Sequence, residues 1–154
     1  MRQIKSNYQR GFTIFELIVV LAIIGILAGV LYPKLQNRET AAKIQACEMD
    51  MLRIYEACQA WRANRGQQNF AGLDYAALNT AGLWDTSKLN PWGNAYSMVV
   101  RSDYGPSTSI SVRSGAIADT QVQASLSQRF VNKGYYSGAI ASGSLANNVY
   151  FYAP

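Results

Sequence analysis

The chain has 154 residues, 49% of them hydrophobic, which suits one domain with a modest core or a membrane anchor followed by a smaller head. It contains no histidine, so the commonest metal ligand and the commonest general base are both missing. The formal net charge is +5, but three of the basic residues precede position 11 and the others are scattered along the chain. Bulk charge therefore predicts no convincing specific nucleic-acid site.

An apolar run from Phe12 to Tyr32 follows the basic segment at residues 1–11. As a helix it would be roughly 31 Å long, about the thickness of the hydrocarbon core of a bilayer. The basic residues ahead of it predict that residues 1–11 lie in the cytoplasm. A secretory signal peptide, the alternative, would have a small-residue cleavage site after the run, and no clear site follows. We therefore expect a membrane helix here.

Glu16 is the one strongly polar side chain of that run. A carboxylate at membrane depth costs roughly 2.5–3.5 kcal/mol and usually has a partner. No basic residue follows within the run, but cleavage between Gly11 and Phe12 would create a cationic amine, which a neighbouring chain shifted along the helix axis could present to Glu16. We interpret Glu16 as a docking charge for another copy. The rival interpretations are a tolerated anchor carboxylate and a proton-relay residue.

The segment RGFTIFELIVVLAIIGILAGVLYPKL resembles the processing and assembly segment of type IV prepilins and of the related pseudopilins of type II secretion. The shared features are a short basic leader that ends in glycine, then Phe, Thr, two residues, Glu and an aliphatic run. The resemblance implies cleavage after Gly11 by a membrane-embedded prepilin peptidase and N-methylation of Phe12. It also implies that Glu16 neutralises the terminal amine of an adjacent subunit during assembly.

Three residues of low helix propensity, Gly25, Gly29 and Pro33, interrupt the same helix. The resemblance implies that they belong to the assembly segment, which loosens and stretches when it packs in a filament. The other interpretation, compatible with the first, is a membrane helix that simply tolerates them.

Beyond Pro33 the pattern becomes amphipathic and predicts one helix over residues 12–65, roughly 80 Å long, with Gly66 as its C′ residue. Apolar residues separated by three and four predict a helix-packing seam, and charged residues are expected largely off it. The seam residues are Ile44, Cys47, Met51, Ile54, Cys58 and Trp61. The charged residues are Lys43, Glu48, Asp50, Arg53, Glu56 and Arg62.

Cys47 and Cys58 would lie roughly 16 Å apart on one helix, beyond the reach of a disulfide. We interpret them as small buried side chains of the seam, with a bridge between subunits as the alternative. No cysteine lies near the C-terminus, so the disulfide that closes the last loop of many type IV pilins cannot form.

The remaining sequence predicts a small head of short elements. Asn90-Pro91 and Gly93-Asn94 are turn signals, and the Pro-Trp-Gly-Asn stretch resembles a turn found in many type II secretion pseudopilins and some pilins. The C-terminal aromatic residues are expected to pack partly in the core, with a partner-facing role as the alternative. The predicted elements are a short helix around Asp74–Thr80 ended by Gly82, strands Tyr96–Arg101 and Ser109–Arg113 joined by a turn at 102–108, a helix Ile117–Phe130 lying on the sheet and ended by Lys133 and Gly134, and strands around Tyr135–Ala141 and Val149–Tyr152.

The predicted fold is α+β, a long N-terminal helix packed against a small antiparallel sheet, as in pilins. The predicted domains are a cleaved leader at 1–11, a transmembrane and filament-core helix at 12–33, and the amphipathic half-helix with the head at 34–154. We expect no catalytic site and no cofactor. We also expect no metal site, since Asp103 and Asp119, the acids after Trp92, are too few and too separated for the calcium loop of major type II pseudopilins. A calcium ion held partly by backbone carbonyls is the alternative.

The resemblance implies a structural subunit of a type IV pilus. It would be processed by the prepilin peptidase and methyltransferase, held in the bacterial inner membrane, and polymerised with copies of itself into a cell-surface filament. The inner-membrane assembly platform and minor pilins would be further partners. Attachment, motility, DNA uptake and conjugative transfer are the family's roles. The alternative is a type II secretion pseudopilin, which would form a periplasmic pseudopilus that drives protein export.

Overall fold

The structure, a computed structural model, describes residues 12–101, 109–140 and 146–152. The predicted leader at 1–11, the predicted turn at 102–108, and Ala141 lie outside these ranges. The chain divides into two compact units, Met1–Glu39 and Thr40–Pro154. We refer to the second unit as the head.

Helix α1, Ile14–Asn64, contributes to both units and confirms the long predicted helix. It ends at Asn64, and Gly66, two residues beyond, has a φ of 62°, in the left-handed region. The Gly66 N–H donates to the Ala63 carbonyl at 3.0 Å, and the Gln67 N–H donates to the Arg62 carbonyl at 3.2 Å. These bonds satisfy carbonyls that lack a partner at a helix end, which explains why the helix stops here.

The head contains a four-stranded antiparallel sheet and two further helices, so the predicted α+β class is confirmed. The strand order is β1-β2-β4-β3. The register pairs Met98 of β1 with Val112 of β2, and Val112 with Phe151 of β4. The elements are α2 Tyr75–Thr80, β1 Ser97–Arg101, β2 Ser109–Ala116, α3 Thr120–Asn132, β3 Tyr136–Ala139 and β4 Asn148–Tyr152.

The predicted start of the third helix is wrong by three residues. Ile117 is buried and its N–H donates to the Asn147 carbonyl at 2.8 Å, so this residue belongs to the sheet region. Helix α3 begins only at Thr120, because Asp119 Oδ1 accepts the backbone N–H groups of Gln121 and Val122 as an N-cap. Strand β2 likewise runs three residues beyond the predicted Arg113.

The core lies between one face of the sheet and the helices α1 and α3. All six predicted seam residues of α1 are buried, which confirms the helical period. Phe151 of β4 stacks on Phe130 of α3 with ring centroids 4.2 Å apart, and Tyr55 of α1 approaches the same ring at 5.8 Å. Tyr135 joins this cluster, so the expected core packing of the C-terminal aromatic residues is confirmed for Phe151 and Tyr135.

The predicted turn at Pro91–Asn94 is held against strand β2 by Asn90. The Asn90 Oδ1 accepts the N–H groups of Trp92 and Asn94, and its Nδ2 donates to the Ser114 carbonyl at 2.7 Å. At this point β2 carries an irregularity, where Gly115 has a φ of 75°. A Cβ on Gly115 would lie 2.4 Å from the Ala95 carbonyl oxygen, so only glycine fits this close approach. The turn thus fixes the start of β1.

Candidate processing and assembly site

Thr13 and Glu16 form a reciprocal cap at the start of α1. The Glu16 N–H donates to Thr13 Oγ1 at 3.2 Å, and the Thr13 N–H donates to Glu16 Oε2 at 3.4 Å. This is the capping-box arrangement, in which two N–H groups without helical partners are satisfied by side chains. The carboxylate of Glu16 is thereby held at the N-terminal end of the helix, next to Phe12. Its second oxygen has no hydrogen bond among the described residues and is available to a cation.

The first unit exposes nearly all of its apolar surface. Phe12 is 83% exposed, and the large apolar side chains that follow are exposed by 42% or more. Within the part of the chain that the structure describes, α1 is the one helix long and apolar enough to cross a membrane, by length and composition only. Apolar side chains that are this exposed are normally covered by a partner or by lipid, and the described residues of this chain do not cover them. They are Ile14, Phe15, Leu17, Ile18, Val19, Val20, Leu21, Ile23, Ile24, Ile26, Leu27, Val30, Leu31, Tyr32 and Leu35.

Helix α1 continues through Gly25, Gly29 and Pro33. A Cβ added at either glycine would meet nothing within 4 Å, so the chain's own packing does not require glycine there. The two glycines are four residues apart, on one face, which is the spacing that allows helices in membranes to approach closely. Pro33 lacks the N–H that would bond the carbonyl of Gly29. Loosening of this stretch in a filament remains a prediction.

Gly11, the predicted residue before the cleaved bond, lies outside the described ranges. Phe12, the predicted new N-terminus, precedes the first helical residue by two positions. The structure therefore brings Phe12, Thr13 and Glu16 together at one end of α1.

Glu48 and Asp50 are the exceptions to the expectation that the charged residues of α1 lie largely off the seam, since both are buried. The Glu48 carboxylate forms ion pairs with two cations of the α3 region. Arg129 Nη1 lies 3.0 Å from Oε2, and Lys133 Nζ lies 2.5 Å from Oε1. Burial by itself raises the pKa of Glu48, but the hydrogen bonds and charges of Lys133 and Arg129 outweigh it and hold the pKa below its ordinary value. This cluster fastens α1 to α3.

Asp50 fastens the same helix to the segment that precedes β1. Its Oδ1 lies 2.6 Å from Lys88 Nζ, and its Oδ2 accepts the hydroxyl of Tyr96 at 3.1 Å. Tyr96 is buried, and burial raises the pKa of its hydroxyl above the ordinary value, so the hydroxyl remains a donor. The bonds from Asp50 connect residues that are 38 and 46 positions apart in the sequence.

Sequence patterns could have indicated part of this arrangement. Arg129 and Lys133 are four residues apart near the end of α3, where cations also favour the helix terminus. Thr13-x-x-Glu16 ahead of an apolar run is the capping-box pattern, which indicates the reciprocal bonds between these two residues at the start of α1. Nothing local marks Asp50 as buried, because its partners are distant in the sequence.

Cys47 and Cys58 are free thiols with no exposed surface. This confirms their interpretation as buried seam residues and disfavours a bridge between folded subunits. Burial raises the pKa of each thiol to about 12, so the reactive thiolate is scarce at neutral pH. Among residues 12–101, 109–140 and 146–152, no three His, Cys, Asp or Glu side chains are grouped as metal ligands.

Comparison with known proteins agrees with the geometry of the N-terminal segment. The family model described as "Prokaryotic N-terminal methylation motif" matches residues 6–32, which include the predicted cleavage site and Glu16. No solved structure matches the chain.

Relatives match over a longer stretch. The chain is 30% identical to "Type II secretion system core protein G" of Aeromonas hydrophila over 115 residues, which is 66% of this chain and 80% of the relative. It is 28% identical to the protein of the same name from Escherichia coli (strain K12) over 113 residues, 65% and 78% of the two chains. It is 38% identical to "Type IV major fimbrial protein FimA" of Dichelobacter nodosus over 56 residues, 34% and 36% of the two chains. With its prepilin-type N-terminus, long helix and α+β head, the chain belongs to the superfamily of type IV pilins and type II secretion pseudopilins.

Proposed function

We propose that this protein is a pseudopilin that polymerises into a periplasmic pseudopilus of a type II secretion system. The observation that carries the choice is the extent of the similarity to the core G proteins. An alignment of 115 residues is too long for the 51-residue helix α1 and includes head sequence, whereas 56 residues is close to the length of that helix. The relatives thus favour the alternative of the sequence analysis over its main interpretation, a pilus subunit.

The proposed role is structural, not catalytic. The chain is inserted in the inner membrane as a precursor and is cleaved between Gly11 and Phe12 by a prepilin peptidase, and Phe12 is then methylated on its new amine. Residues 1–11 form the leader, 12–33 the membrane and filament-core helix, and 34–154 the rest of α1 with the head. The exposed apolar side chains of α1 are covered first by lipid and then by the helices of neighbouring copies.

Glu16 supplies the assembly charge in this proposal. The capping box places its carboxylate at the helix end, with one oxygen on the Thr13 N–H and the other, which we call the outward oxygen, without a hydrogen bond among the described residues. In the filament, the ammonium of Phe12 from an adjacent copy binds that outward oxygen. Both charges are then neutralised where the dielectric constant is low, and this makes the pair far stronger than in water.

Two variants, one at Glu16 and one at Thr13, separate this role from helix capping. Glu16→Gln keeps the acceptor for the Thr13 N–H and loses the charge, whereas Thr13→Ala weakens the cap and keeps the charge. The docking role predicts that E16Q inserts in the membrane normally but assembles at least about tenfold less, since an interhelical charge pair is worth several RT in a low dielectric. T13A is the control and should assemble more than E16Q. Normal filaments from E16Q would show that Glu16 acts as a cap.

Deletion of the gene in the source bacterium tests the choice between pseudopilus and pilus. The pseudopilin proposal predicts loss of exported proteins from the culture medium, restored by the wild-type chain and not by E16Q. Long surface filaments that contain this chain, together with normal export in the deletion strain, would instead support the pilus subunit. Sheared surface material examined by electron microscopy and immunolabelling supplies that readout.

A further inference from the structure

The side of the sheet opposite the core carries only positive charges among its strand residues. The sequences of the four strands contain two arginines, Arg101 and Arg113, and no acidic residue. The register aligns Arg113 with Tyr150 and Tyr136 with Tyr152, on the side opposite the buried Val112 and Phe151. We call this side, with Val99, Arg101, Arg113, Tyr136, Tyr150 and Tyr152, the outer sheet face.

The tyrosine rings of this face are already engaged with one another. Tyr136 stacks on Tyr152 with centroids 5.2 Å apart, and Tyr150 is parallel to Tyr152 at 6.3 Å. The guanidinium of Arg101 lies 4.3 Å from the centroid of the Tyr152 ring. Nucleic-acid bases and sugars bind to aromatic side chains through open ring faces. Since the Tyr152 ring is occupied by intramolecular contacts, the face is poorly suited to stacking ligands.

Arg113 lies beside an open cavity of about 390 Å³ on the same face, lined also by Val99, Ser111, Ile140 and Tyr150. Its Nε–H is buried and has no hydrogen-bond acceptor in the described structure. Buried donors without acceptors are rare in native proteins and are usually satisfied by water, an ion or a partner. An arginine that binds a carboxylate in bidentate fashion uses such an Nε–H together with an Nη–H.

We propose that the outer sheet face docks an acidic segment of another protein, with a carboxylate on Arg113 and an adjacent apolar side chain against Val99 and Ile140. The cavity combines cationic, apolar and tyrosine surface, which is typical of the centre of protein–protein interfaces. Phosphates and uronic acids would satisfy the arginine but would leave the apolar part of the cavity without a match.

The acidic segment that matches this cavity is inferred to belong to a different protein, one that carries acidic and apolar residues side by side. Several acids of this chain already have contacts of their own. Asp74, Asp85 and Asp119 each accept a backbone N–H in their own turn or cap, and Glu48 and Asp50 are buried in ion pairs within the head. A second copy, which would present an exposed acid such as Glu56, is an outcome of the test.

Fluorescence anisotropy with the full-length chain in detergent micelles tests the proposal. The probe is a labelled Glu-Glu-Leu-Glu-Glu peptide, and its neutral counterpart is Gln-Gln-Leu-Gln-Gln. We expect the acidic peptide to bind and the neutral one to bind at least about tenfold more weakly, with affinity falling as salt is raised. Arg113→Gln should weaken binding of the acidic peptide about tenfold, and Arg113→Lys, which keeps the charge without the bidentate fork, should be intermediate.

Arg53→Gln is the matched control, because Arg53 is an exposed cation of α1 in the same head. It should change the affinity by less than about twofold, since exposed charges distant from a site are screened. Equal weakening by R53Q and R113Q, or absence of binding, would overturn the proposal. Tighter binding of oligothymidylate or of an oligogalacturonate would replace it with a nucleic-acid or glycan site, and loss of filament assembly in R113Q would replace it with a contact between copies. Assembly defects confined to Glu16 variants would leave the docking proposal intact. Failure of the docking proposal can therefore be distinguished from failure of the proposed pseudopilus function.

Discussion

Glu16 and Glu48 are both acids of helix α1, but they are satisfied in different ways. Glu48 is buried in the head and meets two cations of its own chain, Arg129 and Lys133. Glu16 is exposed, meets only the cap of its own helix end, and lies among apolar side chains that nothing in the first unit covers. The buried acid of the head is thus satisfied within the chain, whereas the described residues of the first unit leave Glu16 and its apolar neighbours exposed.

The glycines of the two units show the same contrast. A Cβ at Gly25 or Gly29 would meet nothing, whereas a Cβ at Gly115 would collide with the Ala95 carbonyl oxygen. At Gly115, glycine is therefore required by the chain's own packing. At Gly25 and Gly29 it is not, and we infer that glycine there serves contacts with lipid or with other helices.

The largest stability effect is expected from Gly115→Ala. The substitution adds a side chain at positive φ and in a space that backbone occupies, so we expect the free energy of unfolding to fall by about 3 kcal/mol. Urea unfolding followed by tryptophan fluorescence measures it, since Trp61, Trp84 and Trp92 all lie in the head.

Two matched glycine variants sharpen that result. Gly93 also has positive φ, at 82°, but open space around it, so G93A should cost only about 1 kcal/mol. Gly25→Ala should leave the unfolding of the head unchanged. A loss for G25A as large as that for G115A would contradict the contrast between the units.

Asp50→Ala should lower the free energy of unfolding by about 2 kcal/mol, because it leaves the buried Tyr96 hydroxyl without an acceptor and removes the pair with Lys88. Tyr96→Phe, which removes only the hydroxyl, should cost about 1 kcal/mol. Glu56, an exposed acid of the same helix, is the control, and E56A should be nearly neutral. A neutral D50A would show that the buried bonds do not hold the loop to α1.

Glu48→Gln removes the charge that pairs with Arg129 and Lys133, so it should lower the free energy of unfolding at pH 7. The expected loss is only about 1–2 kcal/mol, because both partners are partly exposed to solvent, which weakens the ion pairs. The Glu48 pKa is lowered in the folded head from its ordinary value of 4.5. The charge therefore contributes fully above that value, and the contribution is lost as pH falls through the folded-state pKa. The difference between wild type and E48Q should accordingly disappear in acid. A difference that grows as pH falls would reverse the assigned sign.

The smallest effect concerns the cysteines. With thiol pKa values of about 12 and no exposed surface, Cys47 and Cys58 should resist alkylation by iodoacetamide at pH 8 until the head unfolds. Mass spectrometry of native and urea-treated protein gives the readout. Rapid labelling of the native chain, or a disulfide-linked dimer on a non-reducing gel, would revive the bridge between subunits.

Sequence patterns predict the parts of this fold that depend on local periodicity. The seam from Ile44 to Trp61 is evident because helical spacing repeats over several turns. The burial of Glu48 and Asp50 is not evident from the local sequence, because the cations that make it possible lie 81 and 38 positions away. The start of α3 was placed too early because buried Ile117 extended the apolar pattern, although Asp119 is the actual cap. At the candidate site, the prepilin-like motif identifies Glu16, and the Thr13-x-x-Glu16 pattern indicates the capping bond that the geometry shows.

The central claim is that a freed ammonium on Phe12 of one copy meets the carboxylate of Glu16 on the next. Intact-mass and N-terminal peptide mass spectrometry of assembled native filaments test it most directly. We predict that residues 1–11 are absent and that the first residue is Phe12 carrying one N-methyl group. Functional filaments in which the peptide bond between Gly11 and Phe12 is intact would contradict the claim, because no ammonium would then exist at that position.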